Sequence, residues 1–125
     1  KIKAWQDDFK QQVAKRRYVE NKFGFRRYYF DTITEDIFRQ AIAWVPQSTV
    51  GLYINKIWLN IYERYPDIWI LLQVHDSLVG QFPTVRKDYY LKCLAEASNV
   101  VIPYDDPLVI PVGLKTSDVS WGECG

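Results

Sequence analysis

Cysteine and histidine are scarce in this sequence, which has two cysteines and a single histidine among 125 residues. Cys93 and Cys124 are isolated, with no Cys-x-x-Cys pair, so a zinc or redox site is disfavoured. We expect a buried thiol at Cys93 and a tail thiol at Cys124. Isolated cysteines also fit a cytoplasmic protein, in which thiols stay reduced.

The sequence also lacks long runs of apolar residues and long runs of like charge. No apolar run approaches ~18 residues and no signal-peptide pattern opens the sequence, so neither a membrane span nor secretion is predicted. The sequence has no long charge run, no internal repeat and no low-complexity linker, while its hydrophobic share is 48%. This composition favours a folded chain over a disordered one. We expect residues 1–125 to form one domain or part of one.

The formal net charge is only +1, which does not indicate a free-standing nucleic-acid binder. Its distribution is uneven, because residues 1–40 hold ten Lys and Arg against six Asp and Glu, whereas residues 41–125 hold six against nine. Six cations that could neutralise backbone phosphates crowd one region: Lys15, Arg16, Arg17, Lys22, Arg26 and Arg27. A solvated helix end that complements the helix dipole explains the first three as well.

The spacing of apolar residues predicts the elements of the first half. From Ile2 to Val13 they recur at helical spacing and predict an amphipathic helix over residues 2–16. Residues 18–29 are rich in aromatics and predict a short hairpin or extended loop that turns at Gly24.

A second helix is predicted to follow Thr32 and Glu35, whose spacing is that of a capping box. Pro46 should interrupt and kink this helix, because proline lacks the amide donor and clashes with the preceding turn. Beyond it, an apolar stripe runs from Ile54 to Tyr65.

The second half predicts strands around one more helix. Residues 68–74 and 77–82 form a hairpin, and Leu108 to Leu114 alternates like a strand. Pro111 suggests that this last strand lies at an edge.

The helix between these strands should run from Pro83 to about Asn99, with Val85, Tyr89 and Cys93 on one side. Together the elements predict an α+β fold, a small antiparallel sheet with helices packed on one face.

The tip of the predicted hairpin is the strongest functional signal. His75 and Asp76 lie between two short apolar strands. A carboxylate at the end of a rigid hairpin could hold a divalent metal ion. The competing interpretation is a polar turn, because Asp favours turns through hydrogen bonds to its own backbone.

Several segments, in order, resemble the family A DNA polymerases, the group of bacterial DNA polymerase I and its phage relatives. Residues 72–79 (LQVHDSLV) resemble their motif C, and residues 18–28 (YVENKFGFRRY) resemble the stretch YVET-FGRRRY. Residues 39–48 (RQAIAWVPQS) resemble the helix that contacts the minor groove of the primer–template. The chain is thus identified as the C-terminal part of such a polymerase palm, with a phage enzyme favoured.

This resemblance implies template-directed DNA synthesis by a two-metal mechanism. Asp76 matches the motif C aspartate and is implied to bind Mg²⁺, and His75 is implied to approach the primer terminus from the minor groove. Both are the catalytic candidates. Ser77 stands where the family commonly has glutamate, so its part in metal binding is uncertain.

The same resemblance implies DNA contacts by Gln47, Arg39, Arg26 and Arg27. Gln47 matches a glutamine that hydrogen-bonds to minor-groove acceptors shared by all base pairs. Ala43 replaces a family asparagine, so one such contact is lost. Without the resemblance, Arg39 is equally well explained as a surface arginine paired with Glu35.

Motif A and the fingers helix of the family precede the region that this chain matches, so two Mg²⁺ ions would be only partly liganded here. We expect the chain alone to be inactive and to act with the rest of a polymerase, in cis or as a separate chain. Its implied partners are primer–template DNA and dNTP. Two alternatives stay open, a non-catalytic module that binds duplex DNA and a metal-dependent nuclease, although no acidic cluster supports the nuclease.

Overall fold

The computed structural model describes residues 1–124 and confirms the α+β class. The described chain forms these helices and strands in order: α1 (Ile2–Arg16), β1 (Tyr18–Glu20), β2 (Arg26–Tyr28), α2 (Glu35–Arg64), β3 (Trp69–Val74), β4 (Ser77–Gln81), α3 (Lys87–Ala97), β5 (Val101–Ile102) and β6 (Leu108–Val109). Short 3₁₀ turns cover Thr84–Arg86 and Trp121–Glu123. None of these helices is long and apolar enough to cross a membrane.

The strands pair as three antiparallel hairpins, β1 with β2, β3 with β4, and β5 with β6. The expected small sheet is therefore divided into two-stranded pieces within residues 1–124. The chain also divides into two compact units, Lys1–Val50 and the segment from Gly51 onward.

In the first unit, the helices and the β1–β2 hairpin share one core. Val13 of α1, Val19 of β1, Tyr29 after β2 and Ala41 of α2 are its buried residues. Phe9, Ile33, Ile37, Phe38, Trp44 and Val45 pack against them. Burial of this apolar surface holds the hairpin against the helices and leaves its opposite face exposed.

In the second unit, the predicted apolar stripe of α2 is confirmed. Ile54, Ile57 and Ile61 recur at helical spacing and are buried. The hydroxyl of buried Tyr53 donates to the backbone oxygens of Ser98, at 3.1 Å, and Ile110, at 2.7 Å. These bonds tie α2 to the segments on both sides of the β5–β6 hairpin.

Two predictions about α2 are wrong. The predicted Thr32–Glu35 capping box does not form, because Thr34 is the capping residue and its Oγ1 accepts from the amide of Ile37 at 3.3 Å. The helix also continues through Pro46 without the predicted interruption, whereas the kink at Pro46 stays a prediction. Pro46 has no amide hydrogen to donate to the Ile42 oxygen four residues earlier, so the helix loses one backbone hydrogen bond at this point.

The predictions for α3 and the last strand also need correction. Val85 lies in a 3₁₀ turn and is exposed, as is Tyr89, whereas the buried side of α3 carries Tyr90, Cys93 and Ala97. The last strand ends at Val109, since only Leu108 and Val109 pair with β5.

Candidate functional site

The β3–β4 hairpin places the predicted catalytic pair in a two-residue turn. Val74 pairs with Ser77, so His75 and Asp76 alone connect the strands, and both are exposed. The His75 backbone has φ +53°, in the left-handed region that favours glycine. The turn therefore presents the imidazole and the carboxylate to solvent from a short, strand-supported loop.

Hydrogen bonds from both sides brace this turn. Ser77 donates its hydroxyl to the Val74 oxygen at 2.8 Å, and Gln73 donates its side-chain amide to the His75 oxygen at 3.4 Å. Ser77 is thus engaged in closing the turn. Among residues 1–124, no hydrogen bond or ion pair engages the Asp76 carboxylate, whose oxygens are left for an external ligand.

An irregularity in β3 shapes the same hairpin. Ile70 pairs with Gly80 and Leu72 with Val79, so Leu71 is an extra residue on β3. A Cβ on Gly80 would lie 2.9 Å from the Trp69 backbone oxygen, closer than real Cβ atoms come. The sequence motif did not reveal this bulge, although a glycine inside a strand is its usual signal.

The first unit carries the predicted DNA contacts other than His75. Arg39, Ala43 and Gln47 are four residues apart on α2 and all three are exposed, so they share one open face of the helix. Glu35 pairs with Lys10 at 2.9 Å, and the alternative Arg39–Glu35 pair is therefore wrong. Within the described chain, no ion pair holds the Arg39 guanidinium.

Arg26 and Arg27 differ in their surroundings. Arg26 pairs with Glu20 and lies over the Tyr18 ring, at 4.8 Å from Cζ to the ring centroid. The hydrogen bond to Glu20 is the main cause that raises the pKa of Arg26 above its ordinary value. Arg27 lies over the buried Tyr29 ring at 5.4 Å. Because Arg26 is already paired with a carboxylate, whereas no ion pair within the described residues holds Arg27, Arg27 is the better candidate for a phosphate contact.

Asn21 is a residue of this surface that the sequence did not single out. It is buried, its Oδ1 accepts from the amides of Phe23 and Phe25 at 3.0 Å each, and its Nδ2 donates to Ser48 Oγ at 3.0 Å. Asn21 therefore fixes the β1–β2 turn to α2, one residue beyond Gln47. An asparagine three residues before Gly24 was the available signal, because Asn side chains commonly bond to the backbone of turns.

The described residues place Arg26, Arg27, Arg39 and Gln47 in the first unit, and His75, Asp76 and Ser77 in the second. No group of three or more His, Cys, Asp or Glu that could hold a metal ion occurs within residues 1–124. The minor-groove contacts implied for Gln47 and His75 stay predictions.

Comparison with known proteins shows similarity to bacterial DNA polymerase I. The chain is 30% identical to the proteins named "DNA polymerase I, thermostable" of Thermus aquaticus, Thermus thermophilus and Thermus filiformis, over 122 residues in each case. The alignments cover 91% of this chain but 15% of each relative, so the chain spans about a seventh of their length. No protein-family model and no solved structure matches it.

These matches support the resemblance to the family A DNA polymerases that the motifs indicated. Since the matched relatives are bacterial, they give the expected phage origin no support.

Proposed function

We propose that this chain is part of a family A DNA polymerase and contributes one metal ligand and a DNA-contacting helix face to nucleotidyl transfer. The observation that carries the proposal is the exposed Asp76 carboxylate in a two-residue turn, in a chain similar to DNA polymerase I over 91% of its length. The reaction would join the α-phosphate of a dNTP to a primer 3′ oxygen and release pyrophosphate.

The donor chemistry of Asp76 suits Mg²⁺, which prefers carboxylate oxygens and retains several waters. Asp76 would supply one ligand, and the remaining carboxylate would come from motif A elsewhere in the complete polymerase. When bound, the metal ions lower the pKa of the attacking 3′ oxygen and neutralise charge on the leaving group. The short strand-supported turn restrains the backbone of Asp76, which would reduce the ordering required on metal binding.

His75 and the α2 face supply positioning rather than metal binding in this proposal. Gln47 would donate its side-chain amide to the N3 and O2 acceptors that every base pair presents in the minor groove. Arg39 and Arg27 would neutralise backbone phosphates, and His75 would contact the primer terminus. Such contacts test pair geometry without reading sequence.

The central experiment replaces Asp76 by Asn in the complete polymerase. Loss of one anionic oxygen should lower the primer-extension rate by several orders of magnitude, while affinity for primer–template DNA persists. Asp106→Asn, an exposed carboxylate in the β5–β6 connection, is the matched control and should leave extension unchanged. Near-normal extension by Asp76→Asn would contradict the metal assignment and favour the non-catalytic DNA-binding module.

A second experiment addresses Gln47. One lost hydrogen bond costs roughly 0.5–1.5 kcal/mol, so Gln47→Ala should slow extension of matched primer ends about three- to tenfold. Mismatched ends should lose less, because a mismatch displaces the acceptors. Steady-state extension from both primers measures the difference, with Gln11→Ala on the exposed side of α1 as control. Equal losses on both primers would mean that Gln47 acts only on the structure of α2.

A further inference from the structure

The β1–β2 hairpin carries a series of aromatic rings on the face opposite the core. Val19 and Tyr29 are buried on one side, whereas Tyr18, Tyr28 and Phe30 follow each other on the other side. The ring centroids of Tyr18 and Tyr28 are 5.4 Å apart, and those of Tyr28 and Phe30 are 6.3 Å apart with an interplanar angle of 14°. The rings thus form an offset, nearly parallel stack toward Phe30.

The end of this stack is open to solvent. Phe30 is 87% exposed and Tyr28 is 51% exposed. A single exposed apolar residue is ordinary, but two stacked rings present a flat π surface that water solvates poorly. Such a surface suits a flat, apolar ligand group.

Positive charge surrounds the stack. Residues 15–31 hold six Lys and Arg against two Asp and Glu, a local charge of +4. The Arg17 guanidinium donates to the Phe30 backbone oxygen at 3.4 Å, so a cation contacts the residue that carries the outer ring. Since a guanidinium has several N–H donors, this bond leaves others for a phosphate. Arg26, in contrast, is paired with Glu20 beside Tyr18.

We propose that Tyr28 and Phe30 form a stacking site for an unpaired base of single-stranded DNA, with Arg17 next to the strand's backbone. The choice of DNA as ligand rests on the proposed polymerase function. Every base has a π-face that stacks on aromatic rings without sequence preference, and only an unpaired base offers that face, since a duplex hides it between neighbours. The local charge of +4 complements the negative charge of a phosphate backbone. This complementarity favours DNA over an uncharged protein surface as the ligand of the site.

The test compares two labelled oligonucleotides of equal length and charge, oligo(dT) and an abasic strand, by fluorescence anisotropy with the complete 125-residue chain. Wild type should bind oligo(dT) at least about fivefold more tightly than the abasic strand, the lower end of what base–aromatic stacking contributes. Phe30→Ala and Phe30→Leu should both lose this difference, and Phe30→Trp should retain it. Because Phe30 is so exposed, these variants should keep the wild-type circular dichroism spectrum.

Tyr62→Ala is the matched control, since Tyr62 is an exposed aromatic on α2 in the other unit. It should bind both strands as wild type does.

Equal wild-type affinity for the two strands, or undiminished base preference in Phe30→Leu, would overturn the stacking site. Phe30-dependent binding to phosphatidylserine vesicles without oligonucleotide binding would reassign the surface to membranes. If base preference fails while salt-dependent duplex binding persists, only this inference fails; loss of both contradicts the proposed function as well.

Discussion

Two glycines show that the effect of a Gly→Ala substitution on stability depends on the surroundings of the residue. A Cβ on Gly80 would meet the Trp69 backbone oxygen at 2.9 Å, whereas one on Gly51 would have nothing within 4 Å. Gly80→Ala should therefore lower the free energy of unfolding by about 1–3 kcal/mol through overpacking. Gly51→Ala, inside α2, should raise it by about 0.5–1 kcal/mol through helix propensity. Urea denaturation of both variants measures the two changes in the free energy of unfolding. Changes of the same sign would contradict the prediction.

At the same scale, the sequence predicted the positions of the candidate residues in the chain fold better than their surroundings. Asp76 and His75 were expected at a turn and lie in one. Two polar residues between two short apolar strands are most readily accommodated in the turn that connects the strands. The Arg26–Glu20 pair and the role of Asn21 were not predicted. Both depend on cross-strand register and on contacts distant in sequence, which periodicity does not encode.

At the scale of elements, Tyr53 joins α2 to the segments flanking the β5–β6 hairpin, and its ionisation should matter. Burial raises the pKa of Tyr53 above its ordinary value. An unfolded tyrosine ionises at about pH 10, while the folded one keeps its proton to higher pH. The stabilisation is thus complete below about pH 10 and is lost as the pH rises through the folded pKa, where a phenolate would face two carbonyl oxygens.

Tyr53→Phe should accordingly lower stability by about 1 kcal/mol at neutral pH and show a shallower decline under alkaline conditions. Unfolding free energies measured at about pH 8 and about pH 11 give the decline in stability with pH for Tyr53→Phe and for the wild type. The exposed Tyr62→Phe variant serves as control and should follow the wild type. A decline as steep in Tyr53→Phe as in wild type would assign the alkaline effect to other buried tyrosines.

The elements themselves were largely predictable. Helix α1 has the predicted bounds, and two hairpins turn where Gly24 and the His75–Asp76 pair indicated. The errors arose where local rules compete, as at Thr32 and Thr34, either of which could cap α2. Pro46 is accommodated because helix packing outweighs the loss of one backbone hydrogen bond.

At the scale of the whole molecule, charge follows the division into units. Lys1–Val50 holds ten Lys and Arg against six Asp and Glu, and the remainder holds six against nine, which gives +4 and −3. DNA binding by the chain should therefore weaken with salt. If about four phosphates are contacted, log K should fall with log salt at a slope of about −4, and the chain alone should not extend a primer.

Arg39→Gln should reduce that slope by about one, because one phosphate contact is lost. Arg64→Gln, in the acidic unit, should leave it unchanged. Titrations of duplex DNA at several salt concentrations give the slopes. A DNA affinity that does not depend on salt would contradict the predicted phosphate contacts. Nucleotide incorporation by the purified chain would contradict the prediction that the chain alone cannot extend a primer.

The left-handed backbone of His75 has a consequence for how the protein can evolve. An L-residue in this conformation costs roughly 1 kcal/mol relative to glycine, so a population selected for folding alone would drift toward Gly or Asn at this position. Under the proposed function, retaining an imidazole there would set stability against DNA synthesis by the complete polymerase. In a saturation library, substitutions at residue 75 should therefore rank in nearly opposite order when survivors are selected for thermal resistance and for DNA synthesis.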